Sequence, residues 1–369
     1  MVEARLTVVL DEVGERSPTP VGRYAAAIGA ALAATAPPSV GVAGITPKLG
    51  AARTERVRAL VPGLLELRQT AVPPRELRQA WLHSMTTLPV RGLVHSTSLL
   101  APLPRDSVAG DQVTVTVHGL QSISDRSERK QRWFDRALQR AIERAAAIVV
   151  PTSAVADDLI ALGADPQRVR VIPPAAGIRP DAVRDARSTR GPALPAEYVI
   201  ARTHPGGRGQ AERLVETIAS DAMPDTRVVV TGPVQWGDVT LGGLAVAAGI
   251  PAGRIVVLGE LDELELAAAY RGALAHLHVA EADAMGLDLL DAAALGVPTV
   301  HPATRSLDEI AAGASVPVEG DARELADALA RLLGDDAERT RLGLAALDRV
   351  SVFTWEGAAT DIWQLHGDL

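Results

Sequence analysis

Short apolar runs alternate with longer amphipathic stretches along most of the chain, and this alternation predicts its elements. In the first half, strands are expected at 5–10, 40–42, 64–68, 92–95, 113–118, 148–150 and 169–172. Helices are expected at 22–34, 53–60, 74–85 and 126–146, and one more runs from a Ser153 cap to a stop at Gly163. From 173 to 195 the pattern breaks at Pro173, Pro174, Pro180, Pro192 and Pro195, and this stretch reads as a linker. Strands then resume at 197–201, 227–231, 255–258, 275–280, 299–301 and 315–318. Between and after them, helices are expected at 209–220, 240–248, 262–272, 307–312, 322–333 and 337–350, with a final helix carrying Trp355 and Trp363. Within 281–298, EADAMGLDLLDAAALGVP, Asp288 can cap a short helix, Gly296 suits its left-handed end and Pro298 prevents continuation. Repeated strand–helix units need crossover connections, so both halves predict parallel sheets covered by helices on both faces.

The 126–146 helix separates its faces. Phe134, Leu138 and Ile142 form an apolar stripe, while Arg132, Arg136, Arg140 and Arg144 form a basic one about 200° around the cylinder. A solvated face is the plain reading of that stripe; an anionic membrane surface or acceptor is the alternative.

With 369 residues the chain is long enough for two full cores. A 47% hydrophobic share without a long apolar run reads as a soluble protein, and the strand-like start does not read as a cleavable leader, so a cytoplasmic location is expected. Zero cysteines exclude disulfides and thiolate metal sites, and a net charge of −8 argues against a general nucleic-acid binder.

Candidate chemistry gathers at strand ends, where open parallel sheets hold their ligands. His95 and His118 each close an apolar run, with Gly119 after the second. Gly22 and Arg23 open a helix, where a tight turn and close approach to a ligand are even alternatives. Arg202 ends a strand and Arg208 starts the next helix beyond Pro205-Gly206-Gly207, so two guanidiniums are placed for a diphosphate. The 281–298 stretch adds a helix N-terminus suited to phosphate and carboxylates suited to sugar or ribose hydroxyls. His276 and His278 share a strand face without an expected carboxylate partner, and a metal reading is disfavoured.

In this order, these segments resemble glycosyltransferase family 4. Gly22-Arg23-Tyr24 is similar to its G-x-GRY loop, although Thr19-Pro20 replaces glycines. Leu93-Val94-His95-Ser96 and Val117-His118-Gly119-Leu120 resemble its two His-bearing strand ends. The segments 148–153 and 171–174 are similar to those that close its N-terminal domain. Arg202 with Arg208-Gly209 resembles the GR…KG clamp, and Asp283 to Pro298 resembles EGFGLPLLEAMACGVP, with Asp283 and Asp291 for the two glutamates and Asp288 for proline. The helix 262–270 and the tail from Phe353-Thr354-Trp355 are also similar.

The resemblance implies an α/β GT-B fold, two Rossmann-like doubly wound domains facing across a cleft: 1–178 for the acceptor, a linker at 179–195, 196–353 for the nucleotide-sugar donor, and 354–369 crossing back. By position, it assigns Asp283 to the donor sugar's hydroxyls, the Gly286 and Leu287 amides to phosphate or sugar, Asp291 to the ribose, and Arg202 and Arg208 to the diphosphate. It places His118 near donor sugar and acceptor, and Gly22, Arg23 and His95 on the acceptor or phosphate side. Each Asp is one methylene shorter than Glu, a loss of reach of about 1.5 Å.

The implied activity is transfer of a hexose or deoxyhexose, mannose-like favoured, from a nucleotide-diphosphate sugar to a glycan or lipid-linked acceptor of cell-envelope polysaccharide, with retention. No metal or cofactor is implied beyond the nucleotide sugar as co-substrate, and the basic helix suggests peripheral contact with an anionic inner membrane face. A second reading, drawn from the substituted acidic motif, is a degenerate member that binds a nucleotide sugar or a partner protein without catalysis. A sugar-nucleotide epimerase is the third.

Overall fold

The computed structural model describes residues 4–85, 90, 92–104, 112–120, 128–179, 182 and 194–369. The chain divides into two compact units, one built from the segments within Met1–Pro174 together with Thr354–Leu369, the other containing Ala175–Phe353.

Among the described residues, the first unit holds β1 (Ala4–Val9), α1 (Pro20–Ala34), β2 (Val40–Thr46), α2 (Ala51–Leu60), β3 (Glu66–Gln69), α3 (Pro74–Leu82), β4 (Leu93–Ser96), β5 (Gln112–Thr116), α4 (Glu128–Arg144), β6 (Ala147–Val150), α5 (Ser153–Ala161) and β7 (Val169–Val171). The strands form a parallel seven-stranded sheet ordered β3-β2-β1-β4-β5-β6-β7. Its central strands are buried on both sides, which is why they read as continuous apolar runs. Chain order reverses between β1 and β4, so the loops leaving those strands border the crevice where such sheets take ligands.

The second unit holds β8 (Tyr198–Arg202), α6 (Arg208–Ala219), β9 (Arg227–Thr231), β10 (Gln235–Trp236), β11 (Val239–Thr240), α7 (Leu241–Ala247), β12 (Ile255–Gly259), α8 (Glu263–Arg271), β13 (Ala275–Leu277), α9 (Leu287–Ala294), β14 (Thr299–Pro302), α10 (Arg305–Ala311), β15 (Val316–Val318), α11 (Ala322–Leu333) and α12 (Asp336–Val350). Its parallel six-stranded sheet is ordered β12-β9-β8-β13-β14-β15, with β10 and β11 a separate hairpin. Chain order reverses between β8 and β13. The closing helix α13 (Trp355–Asp368) packs on α1 in the first unit.

Caps explain most boundaries. The β1–α1 loop enters α1 through Thr19, whose Oγ1 accepts from the Gly22 amide. Asp262 and Glu265 form a reciprocal capping box at α8, and Asp321 with Glu324 does the same at α11. Two expected caps move. Thr152, not Ser153, caps α5, accepting from the Val155 amide, because Ser153 already has helical backbone. Gly286, at φ 58°, rather than Asp288, begins α9, so Asp288 lies inside the first turn. Gly296, at φ 72°, is left-handed as expected. Most of the linker expected over 179–195, and the first residues of the helix expected from 126, lie outside the described residues.

Candidate functional site

In the second unit a buried polar cluster forms where β8 and β13 end. These strands deliver polar side chains here: Arg202 from the carboxyl end of β8 with His204 just beyond, and His276 from the middle of β13 with His278 just past its end. Helix α9 supplies Asp288 from its first turn and Asp291 three residues on, hence on one face.

Arg202 Nη1 lies 3.6 Å from Asp288 Oδ1 and 3.5 Å from Asp291 Oδ2. The other Asp288 oxygen accepts from His204 Nε2–H at 2.5 Å. Asp291 is fully buried, and its Oδ1 accepts from the Gly177 and Ile178 amides at 2.6 and 3.0 Å, fixing the first residues of this unit. Asp283 folds onto its own loop: Oδ1 accepts from the Met285 and Gly286 amides at 2.9 and 3.0 Å. The Gly286 amide is therefore given to Asp283, while Leu287 is the first helical residue beyond it. A side chain at Gly286 is disfavoured by its φ of 58°, and a Cβ there would press on Ile310 Cδ1 at 2.9 Å.

Asp283 Oδ2 also sits 3.4 Å from His278 Nε2, which supplies the carboxylate neighbour that the strand pattern did not predict. Among the described residues no group of three or more His, Asp or Glu is arranged to hold a metal. His276 is pushed down to about 3 by burial, then by His278, so it is neutral near pH 7. His301, at the end of β14, is pushed down to about 4 by burial; its Nδ1–H donates to Pro302 O at 2.9 Å. Arg202 Nη1, His276 Nε2 and His278 Nε2 are buried without a hydrogen-bond partner in the chain. Arg208 is exposed at the start of α6, with its Nε donating to Glu212 Oε1 at 2.8 Å.

The first unit gathers its own polar residues where β1, β4 and β5 end. Gly22 is demanded by packing: a Cβ there would meet Glu12 O at 2.6 Å. Thr19 Oγ1 donates to Glu12 Oε2 at 2.6 Å, Arg78 Nη2 donates to Glu12 Oε1 at 3.1 Å, and Ser98 Oγ donates to Asp11 Oδ2 at 2.8 Å. Burial, then Glu12, pushes the Asp11 carboxyl up to about 6. His118 Nε2–H donates to Thr97 O at 2.7 Å, leaving its buried Nδ1 without a partner in the chain. Burial pushes it down to about 4, so Nδ1 is an acceptor at neutral pH. Tyr24 packs edge-on against His118, with centroids 4.7 Å apart, and against Trp355 at 5.6 Å.

His95 lies deeper. It is fully buried, linked through Thr114 Oγ1 (2.9 Å) to His366 on α13 (3.2 Å), and its position is in the core behind the strand ends. Arg23, one residue beyond Gly22, lies in the first turn of α1. Asp11, Glu12, His204 and Asp288 are additions that the strand-end pattern did not single out as ligand-side groups. Their signal was position alone, just past β1 and β8 and within the turn after β13.

Two family models match the chain: "Glycosyltransferase Family 4" over residues 21–176 and "Glycosyl transferase-like" over 202–364. Among curated relatives, the D-inositol 3-phosphate glycosyltransferase of Corynebacterium efficiens is 28% identical over 247 residues, 62% of this chain and 58% of that protein. The enzyme of the same name from Mycobacteroides abscessus is 27% identical over 289 residues, 74% of this chain and 60% of that one. The matches thus span less than two thirds of these relatives' length. Among solved structures, sucrose-phosphate synthase from Thermosynechococcus elongatus superposes with a TM-score of 0.74 at 20% identity, covering 99% of both chains. Anabaena HepE in complex with UDP and glucose gives 0.70 at 14%, covering 99% of this chain and 100% of that one. These likenesses show the shared two-domain fold. With matches on both halves, the chain belongs to the GT-B glycosyltransferases of the family 4 type.

Proposed function

We propose that the protein transfers a hexose or deoxyhexose, mannose-like by preference, from a nucleotide-diphosphate sugar to a hydroxyl of a glycan or lipid-linked acceptor in envelope polysaccharide synthesis, with retention of configuration and without a metal. The observation that carries this reading is Arg202: a buried guanidinium at a strand end in the crevice of the second sheet, with a donor nitrogen that no acceptor in the chain satisfies. Buried donors are rarely left so, and a diphosphate oxygen is a fitting acceptor.

In the reaction the bond from the sugar's anomeric carbon to the diphosphate oxygen breaks, a bond to the acceptor oxygen forms, and the acceptor proton passes to the leaving diphosphate. Arg202, Arg208 and the positive end of α9 stabilise the leaving group's charge. His118, neutral with Nδ1 open, accepts a hydrogen bond from a sugar or acceptor hydroxyl and does not need to act as the base. Gly22 and Arg23 lie on the acceptor side, and His95 supports it from behind. The UDP and glucose of the HepE complex favour a uridine nucleotide, and the relatives' name adds a phosphorylated polyol to the acceptors worth trying. The basic face of α4 serves peripheral contact with an anionic membrane. No helix among the described residues is long and apolar enough to cross one.

The deciding experiment is nucleotide release from a panel of UDP-, GDP- and dTDP-sugars, each with glycan, lipid-linked and phosphorylated-polyol acceptors. Turnover that disappears in Arg202→Ala supports the proposal; no turnover with any pair, at undiminished nucleotide binding, supports instead a binding protein without catalysis. That second reading is favoured by the engagement of Asp283 and Asp291 with backbone amides of their own unit.

A further inference from the structure

The charge around Arg202 is not arranged for a diphosphate alone. Its side chain is only 10% exposed, and both carboxylates near Nη1 stand within Coulombic reach but beyond a well-formed N–H···O bond. Each carboxylate commits its other oxygen to a firm hydrogen bond. Asp291 uses it to hold the Gly177 and Ile178 amides, so its charge serves the architecture of the unit. Asp288 uses it on His204, a side chain of the loop that leads into α6. Asp288 is 2% exposed and sits at a position that in the resembled motif is proline, a residue with no charge.

We infer that Asp288 is an internal competitor for the donor diphosphate: its carboxylate draws Arg202 toward α9, and His204 holds that carboxylate in place. The inference rests on the nucleotide-sugar reading of this unit. A phosphate oxygen and the Asp288 carboxylate seek the same guanidinium. An arriving diphosphate gains hydrogen bonds to Nη1 but must work against the negative charge 3.6 Å from it. His204 moderates this, because its Nε2–H at 2.5 Å draws charge density on Asp288 away from Arg202. Asp288 and His204 thus set donor affinity without touching the nucleoside, and the effect is specific to the diphosphate.

Calorimetric binding of UDP, GDP and dTDP, and of the matching nucleosides, to the full chain tests this with Asp288→Asn, His204→Gln and the double variant. Asp288→Asn is expected to tighten the preferred nucleoside diphosphate about tenfold, with the nucleoside unchanged. His204→Gln is expected to weaken diphosphate binding severalfold, and the double variant to follow Asp288→Asn. A folded Asp288→Asn with equal or weaker diphosphate affinity overturns the inference, as does a double variant that stays as weak as His204→Gln, since His204 then binds the diphosphate itself. Should Asp288→Asn fail to fold, His204→Gln decides alone, and unchanged or tighter diphosphate binding overturns it. If wild type and all variants bind no nucleotide, the donor-site reading falls and this inference with it; if wild type binds and Asp288→Asn binds no tighter, only the inference falls.

Discussion

Acid should unfold this protein through its buried imidazoles. His95 and His366 in the first unit, and His276 and His301 in the second, are at most 5% exposed. Burial pushes His95 and His276 to about 3 and His366 and His301 to about 4, against an ordinary value of 6.5. The folded chain therefore binds fewer protons than the unfolded one across this window. Stability is fully present above pH 6.5 and declines as pH falls toward the folded values. At pH 5 each imidazole has withdrawn about 2 kcal/mol, hence about 4 kcal/mol from the second unit and, with His118, which burial also pushes down to about 4, about 6 kcal/mol from the first. Asp11 acts oppositely: its raised value of about 6 returns about 1 kcal/mol to the first unit as it protonates. The remaining loss is a large share of an ordinary domain stability of about 5–15 kcal/mol. Urea denaturation at pH 7.5 and pH 5.0, at fixed ionic strength and followed by circular dichroism, should show a falling midpoint for both units. His366→Gln, whose side chain does not titrate, should remove about 2 kcal/mol of that pH dependence from the first unit. Stability that is flat or rising from pH 7.5 to 5.0 would refute the reasoning.

Three substitutions probe the packing that positions the sites. Gly22→Ala sets a Cβ 2.6 Å from the Glu12 carbonyl, a backbone atom that cannot swing aside; a loss of about 2 kcal/mol in the first unit is expected by chemical denaturation, and wild-type stability would show that the loop yields. Asp291→Glu lengthens a fully buried side chain bonded to two amides, so the second unit should lose about 2 kcal/mol and nucleotide affinity should not improve in calorimetry. Tyr198→Phe removes the buried hydroxyl that donates to Ala269 O at 2.6 Å; about 1 kcal/mol should be lost in the same assay, with nucleotide binding retained.

The elements were legible because burial and period coincide. Strands such as Ala147–Val150 and Arg227–Thr231 are apolar runs because both faces of a parallel sheet are covered, and α4 shows its buried stripe in Ala137, Leu138, Ala141 and Ile142. The hairpin Gln235–Trp236 with Val239–Thr240 was not legible, since two residues per strand carry no period. The cap of α9 was misplaced because Asp is a strong capping residue by type, whereas the tight approach of Ile310 and a left-handed backbone select Gly286 for that position. The basic stripe of α4 was visible, but not that Arg140 reaches Ser84 Oγ and Leu103 O, and Arg144 reaches Pro104 O. Such contacts depend on which loops the fold brings near, and residue spacing holds no record of them.

The two aspartates at the motif's acidic positions show how a one-methylene change can redirect a site. A carboxylate on the shorter stem has less reach, and here both are engaged by backbone amides. Asp283 closes a turn with the amides two and three residues ahead, and Asp291 ties down 177–178 in the same unit. One oxygen of each is thus spent on holding the 283–286 loop and residues 177–178. What the crevice still offers is the Nη1 of Arg202 and the Nε2 of neutral His276, both without a hydrogen-bond partner in the chain. A donor bound there is gripped first by its phosphates and less by its hydroxyls, so a nucleoside diphosphate and the same nucleotide carrying a sugar should bind with similar affinity in calorimetry.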